Sequence, residues 1–147
     1  MTNLLNLETY MAEIRKAGFD IHNLLIWEKN NATPNRWYMK NCEYIIFARK
    51  GAAKPINDCG CKTVLQVKNV VNRIHPTEKP IELLEIFIKN SSNPGDTILD
   101  PFGGSMSTAL AAIKTGRNAI SFEIDEEYYT LGKARLDNFD PANIIIE

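Results

Sequence analysis

The tightest constraint on this fold lies between residues 77 and 137, where short apolar runs alternate with amphipathic stretches of helical period. Thr77 is placed to cap a helix whose first turn tolerates Pro80, with Ile81, Leu84, Phe87 and Ile88 on one face. Asn93-Pro94-Gly95-Asp96 reads as a turn. Thr97-Ile98-Leu99 reads as a strand ending at Asp100, and Gly103 and Gly104 turn the chain into a helix carrying Met106, Ala109, Leu110 and Ile113, stopped by Gly116. Ala119-Ile120-Ser121-Phe122 is a strand ending at Glu123, and Asp125 caps a last helix through about Asp137. Strand and helix alternating at this spacing predict an α/β fold with a parallel sheet.

The first half is less regular. Residues 3–17 predict a helix with Leu4, Leu7, Met11 and Ile14 on one stripe and Gly18 as its stop. The continuous apolar run at 24–27 predicts a strand buried on both faces, and 43–48 a second strand stopped by Arg49-Lys50-Gly51. Residues 51–72 read as loop with one short strand around 64–67, and 144–146 as a final strand.

Length and apolar content, 147 residues and 44%, suit one domain with its own core. The apolar runs are far shorter than the ~18 residues of a membrane span. The opening Thr2-Asn3-Leu4 lacks the basic and hydrophobic regions of a signal peptide, so a cytoplasmic protein is expected. Cys42, Cys59 and Cys61 are odd in number and read as reduced thiols. Cys59-Gly60-Cys61 is too closely spaced for a zinc site, and no metal is expected. The net charge of −1 hides an asymmetry: nine basic and two acidic residues between Lys29 and Arg73 leave +7 there and −8 elsewhere. A basic middle suits a polyanion, although a lysine-rich solvated loop would look the same.

The chemistry concentrates where the first strong strand ends. Glycines after Asp100 let a ligand approach the backbone, and Glu123, 19 positions after Gly104, can accept hydrogen bonds from two ribose hydroxyls. The later glycines of a dinucleotide fingerprint are missing, since the turn reads Gly-Gly-Ser-Met-Ser-Thr. A nucleoside without a pyrophosphate therefore fits better than NAD, which counts against a Rossmann-type oxidoreductase.

His75-Pro76-Thr77-Glu78-Lys79-Pro80, followed some twenty residues on by Asp100-Pro101-Phe102-Gly103-Gly104-Ser105, closely resembles the C-terminal half of the beta-class DNA amino-methyltransferases. Trp27-Glu28-Lys29, the run from Glu43 to Gly51, Arg117, and Glu123 to Tyr128 extend the resemblance over nearly the whole chain. It implies a Rossmann-like, S-adenosylmethionine-dependent methyltransferase sheet in permuted order. It also implies methyl transfer to the exocyclic amino group of adenine, or else cytosine, in double-stranded DNA, as in restriction–modification enzymes. Carried over by position, Asp100, Pro101, Phe102, Gly104 and Ser105 surround the methionine and adenosine portions of S-adenosylmethionine. Glu123 holds the ribose, Thr77 and Lys79 lie at the amino acid end, and His75 is positional. Residues 51–74 fall where the family inserts its target-recognition segment, which makes Arg36, Lys50, Lys54, Lys62, Lys68 and Arg73 candidate DNA contacts. The domain is then read as 1–50, 51–74 and 75–147.

Two departures stand out. The family's catalytic Asp/Asn/Ser-Pro-Pro-aromatic tetrapeptide, which holds a flipped base, is not in the sequence, so no residue is assigned to catalysis. The strand leading into it is missing too, and is expected to lie between the strand ending at Asp100 and that at 24–27, leaving open edges and an apolar seam. Met106 stands where the family commonly has glycine, and must either point away from the ligand or narrow its pocket. The expectation is a methyltransferase fragment or subunit, inactive alone and completed by a separate polypeptide or by self-association. The alternative is a non-catalytic partner that binds DNA or another subunit.

Overall fold

A computed structural model describes residues 1–52 and 54–139. The expected final strand at 144–146 lies outside the described residues. The chain divides into two compact units, Met1–Asn69 and the remainder from Val70 onward.

The first unit holds helix α1 (Leu4–Lys16) and strands β1 (Asp20–Thr33), β2 (Lys40–Arg49) and β3 (Val64–Gln66), in the order β2-β1-β3. The long antiparallel β1–β2 hairpin pairs Leu24 with Ile46 and Trp27 with Glu43, and is bulged between Ile21 and Asn23 and between Glu28 and Thr33. Strand β3 runs parallel to β1 over Ile26–Glu28 only. Trp27 anchors this sheet: its ring is 2% exposed and its Nε1–H donates to Val67 O at 2.8 Å, so the one polar atom of the ring is satisfied inside the core.

In α1, Asn3 caps by accepting from Asn6 N, and Gly18, at φ +80°, ends the helix in a conformation glycine adopts without strain. The expected apolar stripe is only partly used. No residue of α1 is buried, and Leu4 is exposed.

The second unit holds α2 (Ile81–Ser91), β4 (Thr97–Asp100), α3 (Ser107–Lys114), β5 (Asn118–Ser121) and α4 (Glu126–Asp137). Strands β4 and β5 pair in parallel, Leu99 against Ile120 and Asp100 against Ser121. Helices α2 and α3 supply the core through Ile88, Ala111 and Ala112, with Ile81, Leu84, Ile98 and Ala119 packed on them. Leu83 is fully buried, and truncating such a leucine to alanine typically costs about 2–5 kcal/mol.

Four expectations are corrected. The strands lie in two sheets, and the expected parallel pairing holds for β4 with β5 and for β1 with β3, but β1 and β2 are antiparallel, because the short loop of residues 34–39 returns the chain directly rather than by a crossover. The run at 24–27 is the middle of a 14-residue strand in which only Trp27 is buried. One edge of β1 is not wholly open beside it, since β3 fills it over Ile26–Glu28; Asp20–Leu25 pair only with β2 among the described residues. Thr77 does not cap α2: the helix starts after Pro80, which takes the N-cap position three residues beyond Thr77 and has no side chain that can cap. No helix among the described residues is long and apolar enough to cross a membrane. The three cysteines are free thiols.

Candidate functional site

The carboxyl ends of β4 and β5 lie side by side because the two strands are parallel and in register, which sets the turn after Asp100 next to the turn after Ser121. Asp100 Oδ1 accepts from Phe102 N at 3.0 Å and bends the chain out of β4. Gly103 N then donates to Phe122 O at 2.7 Å, joining the two turns. Both glycines are needed. A Cβ on Gly103 would come within 2.9 Å of Met106 Sδ and 3.2 Å of Phe122 O, and Gly104 sits at φ +50° with its backbone against the His75 ring.

Glu123 closes the arrangement. Its Oε2 accepts from Gly104 N at 2.6 Å and its Oε1 from Asp125 N at 2.9 Å. The backbone N–H groups of Asp125 and then Gly104 hold its carboxyl below the usual carboxylate range, with smaller help from Ile124 N–H and the His75 ring. An ionised carboxylate is thus fixed at the end of β5. Asp125, bonded to Glu127 N and Tyr128 N, caps α4 as its position predicts.

Above this floor runs the segment 74–80. His75 packs edge-on against Tyr128 with centroids 4.2 Å apart, and its Nδ1 meets both Thr77 N at 3.1 Å and Thr77 Oγ1 at 3.0 Å. Glu78 is turned inward, its side chain 3% exposed, where Arg135 of α4 binds it at 2.9 Å. The same Nη1 reaches Ser105 O at 3.1 Å and Ser107 Oγ at 3.2 Å. Lys79 Nζ donates to Thr77 O at 2.9 Å.

Together these residues enclose a cavity of about 250 Å³. Thr77, Lys79, Asp100, Phe102, Gly104, Ser105 and Glu123 all line it; of the candidate cofactor residues only Pro101 is absent from its walls. His75, Glu78, Leu84, Ser107 and Thr108 also contribute. Glu78 carried one readable signal, a glutamate among prolines, but the partner that buries it lies 57 residues away. Met106 does not line the cavity. It takes φ +57°, is 3% exposed, and its side chain lies against Gly103 and Gly132, so the missing glycine leaves the walls as they are.

The six candidate DNA contacts are all exposed, but not equivalent. Arg36, Lys50, Lys54, Lys62 and Lys68 belong to the first unit and Arg73 to the second. Lys50 Nζ donates to Ala17 O at the end of α1, and Arg73 is folded onto Val70 O and Pro76 O. Among the described residues no cluster of three or more His, Cys, Asp or Glu forms a metal site.

Residues 61–134 match the model of a DNA methylase family (N6_N4_Mtase). The chain is 33% identical over 156 residues to the type II methyltransferase M2.MboI of Moraxella bovis, covering 93% of this chain and 57% of that one. Over 63 residues it is 54% identical to the DNA adenine methyltransferase YhdJ of Escherichia coli (strain K12), 43% of this chain and 21% of that one. The solved M1.HpyAVI–SAM complex superposes with a TM-score of 0.79 at 30% identity, covering 90% of this chain and 70% of that chain. The chain spans between 56% and 60% of the curated relatives that it matches over most of its own length.

Proposed function

The chain belongs to the DNA methylase family N6_N4_Mtase, and from that membership we propose that it is the S-adenosylmethionine-binding portion of a DNA amino-methyltransferase acting on double-stranded DNA. One observation carries this: seven residues from separate stretches of sequence converge on a single cavity around the carboxyl ends of β4 and β5. The wall chemistry fits the ligand. Glu123 offers an ionised acceptor to ribose hydroxyls, Asp100 a second carboxylate for an ammonium, and Lys79 a cation for a carboxylate. Gly103 and Gly104 keep side chains out of the way of an adenosine, and Phe102, 86% exposed, offers it a flat apolar surface.

When bound, S-adenosylmethionine supplies an activated methyl group on sulfur. What this chain's residues do is bind and orient: Glu123 fixes the sugar, the glycine turn sets the depth of approach, and Arg135 holds the His75–Pro80 segment over the site through Glu78. The 147 residues contain no Asp/Asn/Ser-Pro-Pro-aromatic tetrapeptide. The isolated 147-residue chain is therefore expected to transfer no methyl group. Adenine is the favoured target, supported by the 54% identity to a DNA adenine methyltransferase. The cytoplasm, where DNA and cofactor meet, is the proposed compartment.

Calorimetric titration tests this reading. Saturable binding of S-adenosylmethionine with none of NAD is expected, and radiolabelled methyl incorporation into mixed-sequence duplex should stay at background. Binding of neither ligand would overturn the cofactor role; incorporation by the pure chain would overturn the inactivity.

A further inference from the structure

A second cavity, about 520 Å³, lies wholly within the first unit at the tip of the β1–β2 hairpin. Its walls come from the hairpin and from the start of α1, which is tied to β2 by Thr2 N→Tyr44 O at 2.8 Å and Tyr44 N→Thr2 O at 3.0 Å. Trp37, Tyr38 and Met39 stand side by side in it, 79%, 91% and 65% exposed. Such an apolar row left in water marks a surface that meets something. Its charged wall residues have one sign: Lys40 lines the groove, the Arg36 guanidinium lies 5.5 Å over the Trp37 ring, and among the described residues no acidic one is in the walls. Asn3 and Asn35 spend their carbonyl oxygens on Asn6 N and Arg36 N, which leaves their amide N–H groups as donors.

We propose that this groove receives an unstacked nucleobase of a DNA strand, stacked on Trp37 and Tyr38, with Arg36 and Lys40 on the flanking phosphates. The proposal rests on the reading of DNA as substrate and adds the element that grips a base once it leaves the helix. An apolar peptide would match the aromatic surface but leave the cations without a counter-charge. A DNA strand satisfies both: aromatic planes suit bases of any sequence, and arginine and lysine suit the backbone between them. The volume falls within the range of ligand pockets, about 300–1,000 Å³, and leaves room for a base and its sugar.

The test compares a labelled oligothymidine of about 12 nucleotides with a fully paired duplex by fluorescence anisotropy. The W37A/Y38A double variant changes only exposed side chains and should keep the wild-type circular dichroism. It is expected to bind the single strand at least about tenfold more weakly, while duplex affinity changes by less than about twofold. Arg36→Ala with Lys40→Ala should weaken both and flatten the salt dependence. Tryptophan emission should be quenched by the oligonucleotide, because Trp27 is buried and Trp37 is the exposed reporter. If wild type binds neither nucleic acid, the substrate reading and the groove fall together. If duplex binding stands and W37A/Y38A holds the single strand as tightly as wild type, the groove alone is overturned. A wild-type dimer that W37A/Y38A abolishes would overturn it in favour of a second copy of the chain.

Discussion

Met106 is the residue whose position was least legible. A long side chain in the left-handed region costs about 1 kcal/mol relative to glycine, and local pattern gives no reason to accept that cost. The reason is Gly132, in the last helix: a Cβ there would fall 2.5 Å from Met106 Cγ and 3.1 Å from Gly104 O. Met106 occupies space that Gly132 vacates. Gly132→Ala should therefore destabilise the protein by about 1–3 kcal/mol, against the gain that alanine usually brings to a helix interior. In a Met106→Gly background the same change should cost far less, and a double-mutant cycle from urea midpoints measures the coupling. Glu123 gives a second prediction at this scale. Its folded pKa lies below the ordinary 4.5, so its contribution is complete above that value and is lost as pH falls through the folded pKa. The stability gap between wild type and Glu123→Gln should be constant near neutrality and close on the acid side of about pH 4.5, as read from urea midpoints at successive pH values.

Elements were legible where their signals were local. The glycine stops of α1 and α3, the Asp125 cap, the turn at 93–96 and the strands at β4 and β5 each rest on residues within a few positions of one another. The antiparallel pairing of β1 with β2 was not legible, because an apolar run fits either a parallel or an antiparallel neighbour until the loop conformation is known. Thr77 misled because the helix begins only after Pro80, three residues beyond it, and its hydroxyl meets the His75 ring instead. The tie between elements is the Arg135–Glu78 pair, which joins α4, the glycine turn and the His75–Pro80 segment through one guanidinium. Arg135→Met leaves a buried carboxylate without its cation and should cost about 2–4 kcal/mol in urea unfolding. Adding Glu78→Gln should recover part of that loss. If the single and double variants are equally unstable, the pair is not what holds the segment.

Over the whole molecule, the residues lining the first cavity were readable as a group because their two motifs are contiguous strings, whereas the aromatic groove needed the hairpin and α1 to be folded before its walls met. The alternation along β4 and β5 divides their sheet into a face covered by α2 and α3 and a bare one, on which Leu99 is 63% exposed and Ile120 50%, with Phe122 beyond at 59%. Covering such a face releases about 25 cal/mol for each Å² removed from water, and that gain acts between molecules once they are close enough to share it. Association through this face would make any affinity measured for this chain depend on the protein concentration at which it was taken.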